Sequence, residues 1–211
     1  MFMMLQVAVI RVMLQYLSDR MYDEVRGQGL TYGVSMAASV TEGRMTLSLT
    51  RLAEAFKAVQ EILARYSDAE YDWDETLLES AVGSIVYSWT EKEETVEDLV
   101  GQAVKAYIRG TDSKYNRDFV RALGRVELAD IVRTAQRILP AFLSAHTTMT
   151  AIVCNPASVA KIIQDFKELG IELKTYEALE DTFQADALLC INNLYFIFCL
   201  HTKRTNKYTK L

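Results

Sequence analysis

The sequence has few of the residues that build metal centres and disulfide frameworks. Among its 211 residues are two histidines, His146 and His201, and three cysteines, Cys154, Cys190 and Cys199. Neither histidine belongs to a zinc-spaced pair, and no H-x-x-E-H, H-E-x-x-H or C-x-x-C motif occurs. We therefore predict that this chain binds no metal. The odd cysteine count also argues against a disulfide framework and favours a reducing compartment.

Other classes of protein are disfavoured by what is missing. The net charge of −5 provides no basic footprint for nucleic acid. The apolar N-terminus has no basic segment before it and is interrupted by Arg11, so it is a poor signal peptide and too short for a membrane span. We expect an intracellular protein, in the cytoplasm or, if its N-terminus acts as a transit peptide, in the mitochondrial matrix. We expect no nucleic-acid partner and no membrane span.

Apolar spacing predicts the order helix, hairpin, several helices, strand, helix and strand. The sequence contains only two prolines, which favours a helix-rich fold. Because strands and helices are segregated, the sequence predicts an α+β fold, a two-layer sandwich of a mostly antiparallel sheet covered by helices. We assign residues 1–178 to one domain and residues 179–211 to a divergent tail, apolar and then basic. The tail is interpreted as an extra strand or a poorly structured appendix. The first helix is predicted from the spacing of Met3, Val7, Ile10, Leu14, Leu17 and Met21.

One predicted helix in the middle of the chain is clearly amphipathic. Thr95 is its predicted N-cap, with Asp98 three residues further on, and Gly110 is its predicted end. Its predicted buried side consists of Val96, Leu99, Val100, Ala103, Val104, Tyr107 and Ile108.

A glycine-rich turn joins the first helix to the hairpin, in the segment Arg26-Gly27-Gln28-Gly29-Leu30-Thr31-Tyr32-Gly33. Glycine suits such a junction because it accepts a positive φ. Two interpretations are open. In one, Arg26 complements the helix dipole and Tyr32 packs under the sheet. In the other, Arg26 and Tyr32 project together as hydrogen-bond donors to a bound chain or an anion.

This segment resembles the Arg…Tyr turn in the C-terminal half of the insulinase/pitrilysin family of zinc metallopeptidases, most of all the presequence-protease branch and its eukaryotic relatives. The resemblance extends over about residues 17–176. The other segments that carry it are Glu42-Gly43, Ala55-Phe56-Lys57-Ala58, Leu78-Glu79-Ser80-Ala81, Glu94-Thr95-Val96, Arg125-Val126 and Asn155-Pro156.

The resemblance implies a metallopeptidase C-terminal domain of the LuxS/insulinase-like type, in which Arg26 and Tyr32 hold the backbone of a peptide substrate. In that family the zinc is bound in the N-terminal half, by H-x-x-E-H and a further glutamate. This sequence lacks that motif, that half and the strand expected before the first helix. We therefore expect no activity from the chain alone, and we expect its partner to be a zinc-bearing half or a complete protease chain. The alternative is a catalytically dead structural subunit of the same fold, like respiratory-chain core proteins, or a peptide-binding module.

Overall fold

A computed structural model describes residues 2–39, 43–50, 53–68, 70–112, 114–144, 147–148 and 150–176, and the backbone of 195–199. The chain forms two compact units, Met1–Pro140 and Ala141–Leu211. The fold belongs to the α+β class with a predominance of helix. The predicted domain boundary between residues 178 and 179 lies outside the described residues.

The first unit is mostly helical. Its elements are α1 (Phe2–Met21), a π-helical turn (Tyr22–Arg26), β1 (Val34–Ser39), β2 (Arg44–Leu49), α2 (Ala53–Ser67), α3 (Glu75–Thr90), a 3₁₀ turn (Glu91–Glu93), α4 (Val96–Arg109) and α5 (Tyr115–Leu123). Helix α6 (Leu128–Leu143) runs on into the second unit, which continues with β3 (Thr150–Cys154), a 3₁₀ turn (Pro156–Ser158), α7 (Val159–Glu168), β4 (Lys174–Tyr176) and β5 (Tyr195–Cys199). No helix of the described part is both long and apolar enough to cross a membrane.

Helix α1 lies at the centre of the first unit and packs against β1, α2, α3 and α5. Because it has neighbours on several sides, its buried residues exceed the predicted single stripe. Val12, Met13 and Tyr16 are as buried as the predicted Leu17, whereas the predicted Met3 is 76% exposed. The helix was therefore predicted correctly in type, but its buried surface was predicted too narrowly and too far towards the N-terminus.

The predicted hairpin is confirmed. Strands β1 and β2 pair antiparallel, with Val34 opposite Leu49 and Ser39 opposite Arg44. Val34 and Met36 face the core, as the alternation predicts. The strand is fixed to α1 by the Ser18 hydroxyl, which accepts the Met36 backbone N–H at 2.8 Å. This bond sets the position of the hairpin on the helix.

Capping residues fix several helix ends, and those predicted at Thr95, Asp98 and Gly110 are confirmed. Asp74 caps α3 by accepting the backbone N–H groups of Thr76 and Leu77. Thr95 and Asp98 form a reciprocal capping box at the start of α4. Gly110 ends α4 in the left-handed conformation, with φ 64°.

The predicted burial of α4 is wrong. Its apolar side is largely exposed, and none of its residues is buried. The half-buried positions are instead Asp98, Gly101, Gln102 and Ala106, which lie on the opposite side of the helix. The periodicity predicted the helix correctly, but it could not specify which side the neighbouring elements would cover. The exposed side chains are Val96, Leu99, Val100, Val104, Tyr107 and Ile108.

The second unit contains a parallel sheet in the order β3-β5-β4. Helix α7 connects β3 to β4, which run in the same direction on either side of β5. The prediction of mostly antiparallel pairing therefore holds for the hairpin of the first unit and not for this sheet. The β-branched and apolar run Thr147–Cys154 predicts a buried strand, but within β3 only Ile152 is buried. The other buried apolar residues described in this unit are Ile162 and Phe166 of α7, and Ile171.

Candidate functional site

The turn over residues 26–32, called here the 26–32 turn, begins where α1 widens into a π-helical turn. Met21 and Val25 remain fully buried through this change. Tyr22 and Arg26 share the exposed side, and the Arg26 guanidinium carbon lies 4.7 Å from the centre of the Tyr22 ring. Single π-helical turns in α-helices occur frequently at functional sites. Here the turn keeps the core contact of Val25 and holds Arg26 at the surface.

Only one of the two glycines in this turn needs to be glycine. Gly29 has φ 71°, in the left-handed region. Its N–H donates to the Arg26 carbonyl at 2.8 Å, and the Leu30 N–H donates to the Val25 carbonyl at 3.2 Å. This pair of bonds is a Schellman motif, which satisfies carbonyl groups at a helix end. Gly27 has ordinary helical angles, with φ −57°.

Thr31 fastens the turn to the hairpin, a role that the sequence analysis missed. Its side chain is almost fully buried, at 3% exposure. The hydroxyl donates to the Thr50 carbonyl and accepts the Gly33 N–H at 3.2 Å. The Thr50 hydroxyl accepts the same Gly33 N–H at 3.0 Å. The signal available in the sequence was a lone polar residue between Leu30 and Tyr32, at a junction whose backbone groups need partners.

Tyr32 projects outward, with 73% of its surface exposed. The interpretation in which Tyr32 packs under the sheet is therefore wrong. Arg26 is also exposed, and no carboxylate of the described residues lies within 4 Å of its guanidinium. The two side chains stand at opposite ends of one turn, and within the described part they make no hydrogen bond to each other. The position of Arg26 in the last turn of the helix remains compatible with a favourable interaction with the helix dipole.

A charged network lies beside the turn. Glu24 forms ion pairs with Arg65 of α2 and with Arg20, whose Nη2 lies 3.4 Å from Glu24 Oε1. The hydrogen bond from Arg65 to Glu24 raises the pKa of Arg65. Arg20 Nε donates to the Tyr66 hydroxyl at 2.9 Å. Burial raises the pKa of Tyr66 above its ordinary value, so this phenol stays neutral.

A shallow groove of about 410 Å³ runs between the turn and α2. Glu24, Gln28 and Arg65 are among its lining residues, together with Ala58, Glu61 and Ile62. The groove is mixed in charge, because its lining includes Glu24, Glu61 and Arg65. Arg65 is already paired with Glu24. The lining of the groove offers a ligand the Gln28 amide, the Glu61 carboxylate and a small apolar wall.

The 26–32 turn carries groups that can donate hydrogen bonds. No three histidine, cysteine, aspartate or glutamate residues come together as a metal-binding group in the described part. His146 and His201 lie outside it. The arrangement can hold an acceptor-rich ligand such as a peptide backbone, through the Arg26 guanidinium and the Tyr32 hydroxyl.

No family model matches the sequence, and no solved structure matches it. The chain is similar to the uncharacterized protein YOL098C of Saccharomyces cerevisiae, at 21% identity over 167 residues. The match covers 77% of this chain and 16% of the yeast protein. The chain thus spans less than a fifth of the length of the relative it matches. Because that relative is itself uncharacterized, the similarity assigns neither a family nor an activity.

Proposed function

We propose that this chain is the substrate-holding, non-zinc part of a zinc metalloendopeptidase of the insulinase/pitrilysin family. The observation that carries the proposal is the exposure of Tyr32, at 73%, on a turn whose adjacent Thr31 is buried and bonded. A tyrosine with a packing role would bury its ring. A tyrosine that meets a ligand needs its hydroxyl accessible, and Arg26 at the other end of the turn adds a second donor.

The chemistry of this role follows from charge development in peptide hydrolysis. The carbonyl oxygen gains negative charge as the carbon becomes tetrahedral. Fixed hydrogen-bond donors stabilise this charged oxygen of the transition state more than they stabilise the neutral carbonyl of the ground state. Arg26 offers a planar set of N–H groups, and Tyr32 offers one O–H on a rigid stem. The Schellman motif and the Thr31 bonds hold both ends of the turn, so the backbone positions that carry the two donors are set before a peptide binds.

Zinc does not fit the described residues of this chain, since no ligand set converges there. In the proposed enzyme the metal belongs to the half that bears H-x-x-E-H, and that half or a complete protease chain is the proposed partner. The proposal includes the finer fold, a LuxS/insulinase-like sandwich. Its support is the layering of β1 against α1 through Ser18 and Met36.

A second candidate function is a structural subunit of the same fold without catalysis. The observation that favours it is the exposed apolar side of α4, where Tyr107 is 87% and Ile108 is 76% exposed. Exposed apolar surface of this kind marks interaction sites. In this case the 26–32 turn would have no ligand, and association through α4 would be the main property of the chain.

The test compares Tyr32→Phe with Tyr87→Phe, because Tyr87 is a second exposed tyrosine, at 65%, on α3. In complex with a zinc-bearing half of such a protease, Tyr32→Phe should lower turnover on the order of 10²–10³. Tyr87→Phe should leave turnover unchanged, and neither should change the melting temperature. Normal turnover in Tyr32→Phe, together with loss of assembly when Tyr107 is replaced by serine, would refute the substrate-holding role and favour the structural subunit.

A further inference from the structure

A group of cations surrounds Trp89, away from the 26–32 turn. The Arg11 guanidinium carbon of α1 lies 5.6 Å from the centre of the Trp89 ring and 5.9 Å from that of Phe119. Lys92 Nζ, in the 3₁₀ turn after α3, lies 4.3 Å from the centre of the same Trp89 ring. Two positive charges therefore share one indole, which stabilises each of them individually but leaves their mutual repulsion uncompensated.

Helix α4 adds two more positive charges to this group. Lys105 and Arg109 lie on the side of α4 opposite its exposed apolar residues. Burial lowers the pKa of Lys92 most, and the positive charges of Arg11, Lys105 and Arg109 lower it further. Burial also lowers the pKa of Arg11, and Arg109 lowers it further. Arg11, Lys105 and Arg109 thus each lie close enough to Lys92 to repel its charge, and the four cations are called here the Trp89 cation group.

No described carboxylate neutralises this group. None lies within 4 Å of Arg11, Lys92, Lys105 or Arg109. Two of the nearby carboxylates have other partners. Glu93 accepts a hydrogen bond from Asn116 Nδ2 at 2.7 Å. Asp98 is occupied in the capping box of α4.

Arg11 also has an unmet donor. Its Nε is buried and makes no hydrogen bond. A buried donor without an acceptor is costly, and a guanidinium usually satisfies its N–H groups with an anion or a carbonyl. An oxyanion placed between α1, the 3₁₀ turn and the inner side of α4 would accept from Arg11 and lie near the three other cations.

We propose that the Trp89 cation group is a binding site for a soluble phosphate-type oxyanion. A multivalent anion matches four positive charges better than a single carboxylate does, and phosphate oxygens accept hydrogen bonds from arginine and lysine with charge assistance. Bound there, the anion would link α4 to α1 from the polar side of α4. The site shares no residue with the 26–32 turn and does not depend on the proposed function.

The experiment titrates the whole chain with inorganic phosphate, inorganic diphosphate and acetate at constant ionic strength, and follows tryptophan emission. Trp89 lies within the site, whereas Trp73 is 4% exposed in a cluster with Tyr16 and Tyr66 and should not respond. We expect a saturable change with phosphate, a stronger one with diphosphate and almost none with acetate. The change should disappear in Trp89→Phe.

Variants assign the response to the group. Lys92→Gln and Arg109→Gln should each weaken the apparent phosphate affinity about tenfold or more, since each removes a charge-assisted bond. Arg133→Gln is the matched control, because Arg133 is an exposed arginine on α6 with its own ion pair to Asp130. It should leave the affinity within about twofold. Lys92 and Arg109 are exposed, so both variants should fold, which circular dichroism checks.

Three results would overturn the proposal. The first is the absence of saturation with phosphate and diphosphate at millimolar concentration. The second is an equal response in Arg133→Gln, Lys92→Gln and Arg109→Gln. The third is binding to phosphatidylglycerol vesicles, dependent on Lys92 and Arg109, without any response to the soluble anions. This last result would assign the group to a lipid headgroup.

Discussion

The two glycines of the 26–32 turn provide a closely matched test of its geometry. An added Cβ would meet nothing within 4 Å at either Gly27 or Gly29. The two positions therefore differ in backbone conformation and not in available space. Gly27 is helical, and its N–H donates to the Asp23 carbonyl. Gly29 has φ 71° and closes the Schellman motif.

We predict opposite effects of alanine at these two positions. Gly27→Ala should stabilise the chain by about 0.5–1 kcal/mol, because alanine loses less backbone freedom in a helical conformation. Gly29→Ala should destabilise it by about 1–2 kcal/mol, because a Cβ clashes with the backbone in the left-handed region. The separation between the two variants is therefore roughly 2 kcal/mol.

Urea unfolding followed by far-UV circular dichroism measures this difference. With an m-value of about 2 kcal/mol/M, the midpoints of the two variants should lie about 1 M apart. Gly29→Asn serves as a control, since asparagine tolerates the left-handed region better than alanine and should lose less. Equal midpoints for Gly27→Ala and Gly29→Ala would refute the left-handed turn and, with it, the geometry that holds Arg26 and Tyr32.

The other predictions concern a buried hydroxyl, an exposed helix side and a titrating carboxylate. Thr31→Val should cost about 1–3 kcal/mol in urea unfolding, because the Thr50 carbonyl loses the Thr31 hydroxyl and the Gly33 N–H keeps only the Thr50 hydroxyl as an acceptor. A larger loss in Thr31→Ser, which keeps the hydroxyl, would contradict this. Val100→Ser should change the free energy of unfolding by less than about 0.5 kcal/mol, because Val100 is 58% exposed. Val59→Ser should cost at least about 2 kcal/mol, because Val59 is fully buried. Equal losses in the two variants would contradict the exposure of α4. Burial raises the pKa of Asp19, the hydrogen bond from Gln15 opposes this shift, and the charge of Asp23 adds to it. The folded state therefore holds the Asp19 proton more tightly than the unfolded state does. Stability is lost as pH rises from 3.8 through the raised pKa. Asp19→Asn should therefore be more stable than the wild type near pH 7 and equal to it below pH 3.8, and thermal unfolding across pH would show the reverse order if the shift had the opposite sign.

Features encoded within a few residues could be predicted from the sequence. The Thr95 and Asp98 capping box and the Gly110 helix end each depend on a side chain or a backbone preference at one place. The hairpin follows from alternation on either side of one turn. These signals do not require knowledge of distant contacts.

Features decided by packing partners could not be predicted in the same way. The apolar spacing of α4 is a property of the helix, but its burial depends on whether another element covers that side. Tyr32 illustrates the same limit at the candidate site. Alternation places it on the core side with Val34, yet the strand starts only at Val34 and the preceding turn directs Tyr32 outward. The role of Thr31 depends on Thr50, nineteen positions away in sequence.

The exposure of α4 has a consequence for the local unfolding of different parts of the molecule. A helix without a buried residue gains little from tertiary contacts, so its backbone hydrogen bonds can break while the rest of the first unit stays folded. Its amide hydrogens should then exchange with solvent much faster than those of α1, where Val12, Met13 and Leu17 are fully buried. A protein that covers the apolar side of α4, or an anion that bridges its polar side to α1, would slow this exchange without changing the fold. The amides of α4 would therefore report on a partner that leaves every other part of the chain unchanged.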